Sequence, residues 1–113
     1  MITIDKLKEF GANTAEGLER CCGMEALYLK LVKMVPDEKN FGLLKNALDE
    51  NDLDTAFQAA HALKGVLGNL SLTPMFKICV EITELLRSRT HTDYTPLLNK
   101  LFELKDKLAA LCE

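Results

Sequence analysis

The sequence lacks several features that mark common classes of protein. No apolar run approaches the roughly 20 residues that a transmembrane helix needs, and the N-terminal stretch MITIDKLKEFG has no signal-peptide core. We therefore expect no membrane segment and, by default, a cytoplasmic location. The formal net charge of -3 gives no basic excess of the kind that nucleic-acid binders usually show. We expect no nucleic-acid partner.

Cysteine motifs of zinc or redox sites and nucleotide-binding motifs are also missing. No two of Cys21, Cys22, Cys79 and Cys112 have the two-residue gap of zinc or redox motifs. We expect reduced thiols rather than disulfides or metal ligands. The sequence contains no glycine-rich phosphate loop and no kinase signature. We therefore expect a protein without kinase activity of its own and without a cofactor or metal of its own.

Strand signals are absent as well, and stretches with helical periodicity fill the chain. The 113 residues, 48% of them hydrophobic, suffice for one domain with a real core. We predict a single all-α domain over 1–113, with a short N-terminal helical capping segment at 1–23 and a bundle at 24–113. Four amphipathic segments with short connections predict an up-down-up-down antiparallel four-helix bundle. Such a bundle buries its own core, and we expect a monomer.

Turn residues divide the predicted bundle into its segments. The first segment covers 24–50, either as one kinked helix or as two pieces broken at Pro36. Asn51 or Asp52 caps the second helix, which runs to about residue 69. Thr73 caps the third helix, with Pro74 at its first position. Periodicity places the following residues toward the core: Leu27, Leu31, Met34, Phe41, Leu44 and Leu48 in the first segment; Met75, Cys79, Ile82 and Leu86 in the third; Tyr94, Leu97, Leu101, Leu104, Leu108 and Leu111 in the last.

The second helix carries a histidine and two glycines in the stretch HALKGVLGNL at 61–70. Each glycine in a helix interior costs about 1 kcal/mol relative to alanine. On a helical wheel the mean direction of the core stripe lies roughly 130° from His61, which therefore faces away from the core. That stripe consists of Leu53, Ala56, Ala60, Leu63, Leu67 and Leu70. Gly65 and Gly68 share the stripe of His61, and Lys64 lies about 60° to its side.

This arrangement suits nucleophilic chemistry. A neutral imidazole is a competent nucleophile near pH 7, and a phosphoryl group on it would add negative charge that Lys64 is placed to offset. The two glycines then give an external partner room beside His61. Two plainer interpretations stay open: an ordinary surface histidine, and glycines that serve close helix packing.

At these residues the sequence resembles the histidine-containing phosphotransfer (HPt) family of two-component phosphorelays. Its signature, close to A-H-x-L-K-G with a downstream leucine and a cysteine one helix later, stands here as AHALKG at 60–65, then Leu70 and Cys79. Two longer stretches are also similar to the family, NTAEGLERCCGMEALYLKLV at 13–32 and LDENDLDTAFQAAHALKG at 48–65. The resemblance covers nearly the whole chain and implies a four-helix bundle.

The resemblance implies roles for individual residues. His61 would be the phosphoacceptor through its outward ring nitrogen, Lys64 would steady the phosphoryl group, and Gly65 would give the partner access. Thr83 stands where relatives often have a polar residue that binds the histidine, and Ser71 replaces a frequent glycine. We expect Thr83 at the partner surface together with Gly65. The other residues that we expect there are Gly68, Gln58, Phe57 and Asp54; Phe57 lies at the margin of the core stripe.

The resemblance also implies partners. These are receiver domains of response regulators or hybrid sensor kinases, with a phosphorylatable aspartate and bound magnesium. The expected function is that of a phosphocarrier that accepts a phosphoryl group on His61 from one receiver aspartate and passes it to another. Three alternatives remain: a helical interaction module without phosphotransfer, the phosphoacceptor domain of a larger sensor kinase, and a metal-binding bundle. His91 is expected to be a solvated loop residue.

Overall fold

The structure is a computed structural model that describes residues 1–113, and all its regular secondary structure is helical. It contains seven α-helices, one short 3-10 helix and no strand, which confirms the all-α prediction. The helices are α1 Ile4–Phe10, α2 Thr14–Arg20, α3 Glu25–Met34, α4 Asn40–Asp49, α5 Leu53–Asn69, α6 Thr73–Arg87 and α7 Thr95–Leu111. No helix has the length and apolar character that crossing a bilayer requires.

The chain breaks at Pro36, so the two-piece alternative for the first predicted segment is right. A 3-10 turn, Val35–Asp37, separates α3 from α4 and carries the proline in its first turn. Proline has no N–H to donate and a fixed φ, which suits a helix start and not a helix interior. The proline therefore stands in the short turn between α3 and α4 and not inside either helix.

Helix ends follow the sequence signals in one case and depart from them in another. Asp52 caps α5, with its carboxylate accepting the Thr55 N–H at 3.1 Å. The predicted cap at Thr73 is wrong, because α6 begins one residue earlier with Leu72 at the cap position. Thr73 is instead the first helical residue, and its hydroxyl donates to the Ser71 carbonyl at 3.4 Å.

The predicted core stripes of α5, α6 and α7 are confirmed. The stripe of α5 is buried except for the half-buried Leu53, and all four stripe residues of α6 are buried. The stripe of α7 alternates between buried and half-buried residues. Apolar residues such as leucine, isoleucine and methionine that repeat at helical spacing lie on one face of their helix, and that face packs on the core. The pattern within one helix therefore suffices to identify its buried residues.

The predicted stripe of the first segment is confirmed in α4, where Phe41 and Leu44 are buried and Leu48 is half-buried, and is wrong at two of its three residues in α3, of which Leu31 alone packs against the core. Leu27 and Met34 are exposed, while Tyr28 and Val32 are buried. The prediction assumed one continuous helical periodicity across Pro36. The break at Pro36 ends this periodicity, so the residues of α3 that face the core cannot be extrapolated from those of α4. The Tyr28 side chain instead reaches the end of α5, where its hydroxyl donates to the Leu70 carbonyl at 2.8 Å.

The bundle is formed by α4, α5, α6 and α7, each packed against the next, with short connections that make neighbours antiparallel. The rings of Phe41 on α4 and Phe102 on α7, 6.1 Å apart, bring the first and last of these helices together. The turn after α5 uses Ser71 in the left-handed region, with φ 54°, where glycine is favoured. Because α4 and α6 flank α5, one face of α5 is left to solvent.

Candidate functional site

His61 lies in the middle of the 17-residue helix α5, on its solvent face, as predicted. The residues before and after it in the core stripe, Ala60 and Leu63, are completely buried. They fix the helix beneath the imidazole. The structure thus presents a single exposed histidine on a helix whose opposite face is anchored in the core.

A buried thiol ties the neighbouring helix to the backbone next to this histidine. Cys79 on α6 is completely buried, and its Sγ donates to the Ala60 carbonyl at 3.3 Å. Burial raises the pKa of the Cys79 thiol to about 11, so the thiol stays protonated and able to donate. The cysteine of the signature therefore acts as a structural link between α6 and α5.

The two glycines beside His61 differ in their surroundings. A Cβ added at Gly65 would meet nothing within 4 Å, so the space above this residue is open. A Cβ at Gly68 would come within 3.0 Å of the Phe76 ring on α6. The inference that both glycines face an external partner is therefore wrong for Gly68, which is needed for close packing of α6. Gly65 alone clears free space next to the histidine.

Thr83 does not support the histidine and is not at the surface. Its side chain is completely buried, and its hydroxyl donates to the Cys79 carbonyl, one turn earlier in α6, at 2.7 Å. The expectation that Thr83 takes part in a partner surface is wrong, because a buried threonine that has satisfied its donor within its own helix has nothing to offer outside. Its side chain is also too short to reach out of the core.

Phe57, one turn before His61, packs against it. The two rings lie 5.8 Å apart between centroids with an angle of 22° between their planes. Phe57 is half-buried, as its place at the margin of the core stripe predicted. The guanidinium carbons of Arg87 and Arg89 lie 5.3 and 5.0 Å from the Phe57 centroid, within the range of cation–π attraction.

Asp54 binds one of these arginines. Its carboxylate accepts a hydrogen bond from Nε of Arg89 at 2.6 Å, and Nη1 of the same arginine donates to the Leu86 carbonyl at 2.6 Å. Neither Arg87 nor Arg89 was predicted from the sequence as part of this surface. The sequence RSR at 87–89 marks two cations near the end of α6. A helical wheel of α5 does not show which residues of another helix lie beside Phe57, so their position could not be predicted.

A polar cleft extends from Lys64 and Gly65 toward the end of α5 and the start of α6. Its lining includes the cationic groups of Lys64, Lys77 and Arg20. Of these, Arg20 is paired with Glu16 at 3.2 Å. Lys64 is half-buried along its stem, an arrangement that lets the ammonium group reach solvent. The cleft therefore holds three cationic side chains and the carboxylate of Glu16, and Lys64 is the cation one helical turn from His61.

Gln58 and His91 are the remaining candidate residues. Gln58 is exposed on the same helix. His91 is exposed in the connection between α6 and α7, in a separate pocket with Asp49, Asn51 and Tyr94. It does not share the surface of His61. No three histidine, cysteine, aspartate or glutamate side chains gather in the arrangement of a metal site.

Comparison with known proteins gives one family match. The model of the Hpt domain family matches residues 37–113, about two thirds of the chain. This range holds α4 to α7 with His61, Lys64, Gly65 and Phe57; Arg20 and Glu16 of the polar cleft lie outside it. The comparisons with curated proteins and with solved structures each return no match. On the strength of the family match, and of a helical bundle that presents His61 of the signature AHALKG to solvent, the chain belongs to the Hpt domain family.

Proposed function

We propose that His61 accepts a phosphoryl group from the aspartyl phosphate of one receiver domain and passes it to the aspartate of another. The Hpt domain is a histidine phosphotransfer module of phosphorelays, and Hpt domains interact with receiver domains. The observation that carries the assignment to His61 is its position: it is exposed at mid-helix beside open space at Gly65. His91, the other histidine, lies in a connection without the signature around it.

In the first transfer one bond to phosphorus forms and another breaks. The lone pair of the outward imidazole nitrogen attacks phosphorus, and the bond from phosphorus to the aspartate oxygen breaks. The carboxylate leaves with the bonding electron pair, and the phosphoryl group remains on the nitrogen of His61. The ring then carries a proton on its other nitrogen, which it can release to solvent. The second transfer is the reverse of this step with a new aspartate.

The chain's own part in this step is positioning and charge. Phosphoryl transfer relies mostly on alignment of nucleophile and phosphorus and on neutralisation of oxygen charge. The buried residues Ala60 and Leu63 and the Cys79 hydrogen bond fix the helix below the imidazole. Lys64, one turn after His61, supplies a cation for the phosphoryl oxygens. We propose that the receiver domain supplies the magnesium ion and that this chain needs no cofactor of its own.

Access is the third requirement, since the receiver must dock over the exposed histidine to bring its aspartate to the imidazole. A side chain at 65 would stand one helical turn from the imidazole on the same face. The vacancy there lets the surface of a receiver approach α5 closely. On this proposal the protein is a phosphocarrier, and the receiver contributes most of the catalysis.

The test is transfer from a phosphorylated receiver domain, with magnesium, to the wild type and to H61Q and H91Q. We expect acid-labile, base-stable radiolabel on the wild type and on H91Q, and none on H61Q. Label that persists on H61Q would show that another residue is the acceptor. Absence of label on the wild type, across the receivers of one genome, would favour an interaction module that has no phosphotransfer activity.

A further inference from the structure

We infer that Phe57 is a positioning residue for His61 and that Asp54 and Arg89 hold Phe57 in place. The inference rests on the proposed function of His61 for its effect on the reaction, but not for its geometry. It assigns Asp54 a task within the chain, where the sequence alone suggested contact with a partner.

The stack between the two rings limits the orientation of the imidazole. Side chains on a helix lean toward its N-terminus, so the ring of His61 leans over the residue four positions earlier, which is Phe57. The centroid distance of 5.8 Å and the plane angle of 22° lie in the range of attractive aromatic pairs. An exposed histidine without this neighbour would exchange between its helix rotamers. Phe57 thereby favours one of them.

Phe57 is itself held by charges from the connection after α6. Arg89 has a left-handed backbone with φ 51°, and its guanidinium is fixed by Asp54 and by the Leu86 carbonyl. In this position its Cζ lies 5.0 Å from the Phe57 centroid, and that of Arg87 lies 5.3 Å from it. Cations at this distance are attracted to the ring. The salt bridge from Asp54 to Arg89 thus joins the start of α5 to the end of α6 across Phe57.

The consequence for the reaction is a preset direction for the attacking nitrogen. In-line transfer requires the imidazole lone pair to point at phosphorus when the receiver docks. If the imidazole is free to leave this orientation, only the fraction of molecules in the correct rotamer reacts on each encounter. We expect F57L to lower the first-order rate constant of phosphoryl transfer at saturating receiver roughly fivefold, or about 1 kcal/mol at 1.36 kcal/mol per tenfold. The concentration of phosphorylated receiver that gives half of this rate should stay unchanged.

The experiment combines NMR of the His61 ring with transfer kinetics on F57L, F57Y and D54A. The wild-type ring protons are expected to show an upfield ring-current shift that F57L abolishes, F57Y retains and D54A reduces. The matched control is F102L. Phe102 is likewise half-buried. Its ring forms a tilted pair with that of Phe41, 6.1 Å away, and Nζ of Lys105 lies 5.8 Å from its centroid, but Phe102 lies on α7. F102L should leave both the ring-current shift and the transfer rate constant unchanged.

Each outcome separates this inference from its alternatives. A His61 shift that F57L does not change overturns the stack. A rise in the half-saturating receiver concentration with a constant transfer rate constant overturns positioning in favour of contact between Phe57 and the receiver. An equal loss of transfer rate in F102L overturns it in favour of general destabilisation. If the wild type accepts no phosphoryl group at all, the proposed function fails, while the NMR comparison still decides whether Phe57 orients His61.

Discussion

Replacing Gly65 with alanine should raise stability and lower phosphotransfer at once. Gly65 lies inside α5, and an added Cβ would meet no atom within 4 Å. The folded state therefore gains helix propensity without a clash, and we expect G65A to raise the free energy of unfolding by about 0.5–1 kcal/mol. In a domain of this size 1 kcal/mol corresponds to roughly 4 °C in Tm.

The same methyl group stands on the face of His61, one turn away, where the receiver must approach. We expect G65A to slow transfer several-fold and G65Q, with a longer side chain, to slow it more. The matched control is G42A. Gly42 lies in α4, and an added Cβ there also has nothing within 4 Å. It should gain stability and keep the wild-type rate.

Two assays decide the matter: thermal unfolding followed by circular dichroism, and transfer from a phosphorylated receiver. G68A is a useful third variant. Its Cβ would come within 3.0 Å of the Phe76 ring, so this variant should lack the gain in stability. A G65A protein that is less stable than the wild type would refute the open space at this position. A G65Q protein that transfers at the wild-type rate would refute the role of Gly65 in access.

Two further predictions concern stability. G17A should lower the free energy of unfolding by about 1–3 kcal/mol, because its Cβ would lie 2.5 Å from ring atoms of Tyr28; urea unfolding measures this, and an unchanged midpoint would contradict the packing. Stability should also fall between about pH 9 and pH 12. Burial raises the pKa of Cys79 from 9.0 to about 11 and, with the nearby Cys21 as a smaller cause, that of Tyr28 from 10.0 to about 12. Because the folded state holds these protons more tightly than the unfolded chain, the stabilisation is complete below pH 9 and is lost as pH rises through these values. Urea titrations at several pH values check this, and C79A should lose less stability than the wild type between pH 9 and 11.

The sequence predicted the face of α5 well because the relevant pattern lies within one helix. The buried stripe and the exposed His61 follow from rotation of about 100° per residue and need no knowledge of the neighbours. The same reasoning failed for Leu27 and Met34. Those residues lie before Pro36, and the break there ends the phase relation to the residues of α4.

What the sequence did not predict depends on contacts between elements. Gly68 and Gly65 share one stripe on the wheel, yet only Gly68 faces Phe76, because the wheel does not show where α6 lies. The bond from Asp54 to Arg89 joins residues 35 positions apart, and no local pattern indicates it. Thr83 was placed at the surface by resemblance alone, and its burial follows from the rotation of α6 about its axis.

The most direct test of the proposed role of His61 is to locate the phosphoryl group after transfer. The protein is incubated with a phosphorylated receiver and magnesium, kept at alkaline pH where phosphohistidine survives, and its fragments are analysed by mass spectrometry. The account predicts one added phosphoryl group per chain, on the fragment ions that contain His61. A phosphoryl group on His91 or on a carboxylate, or none on a folded protein tested across the receivers of one genome, would contradict it.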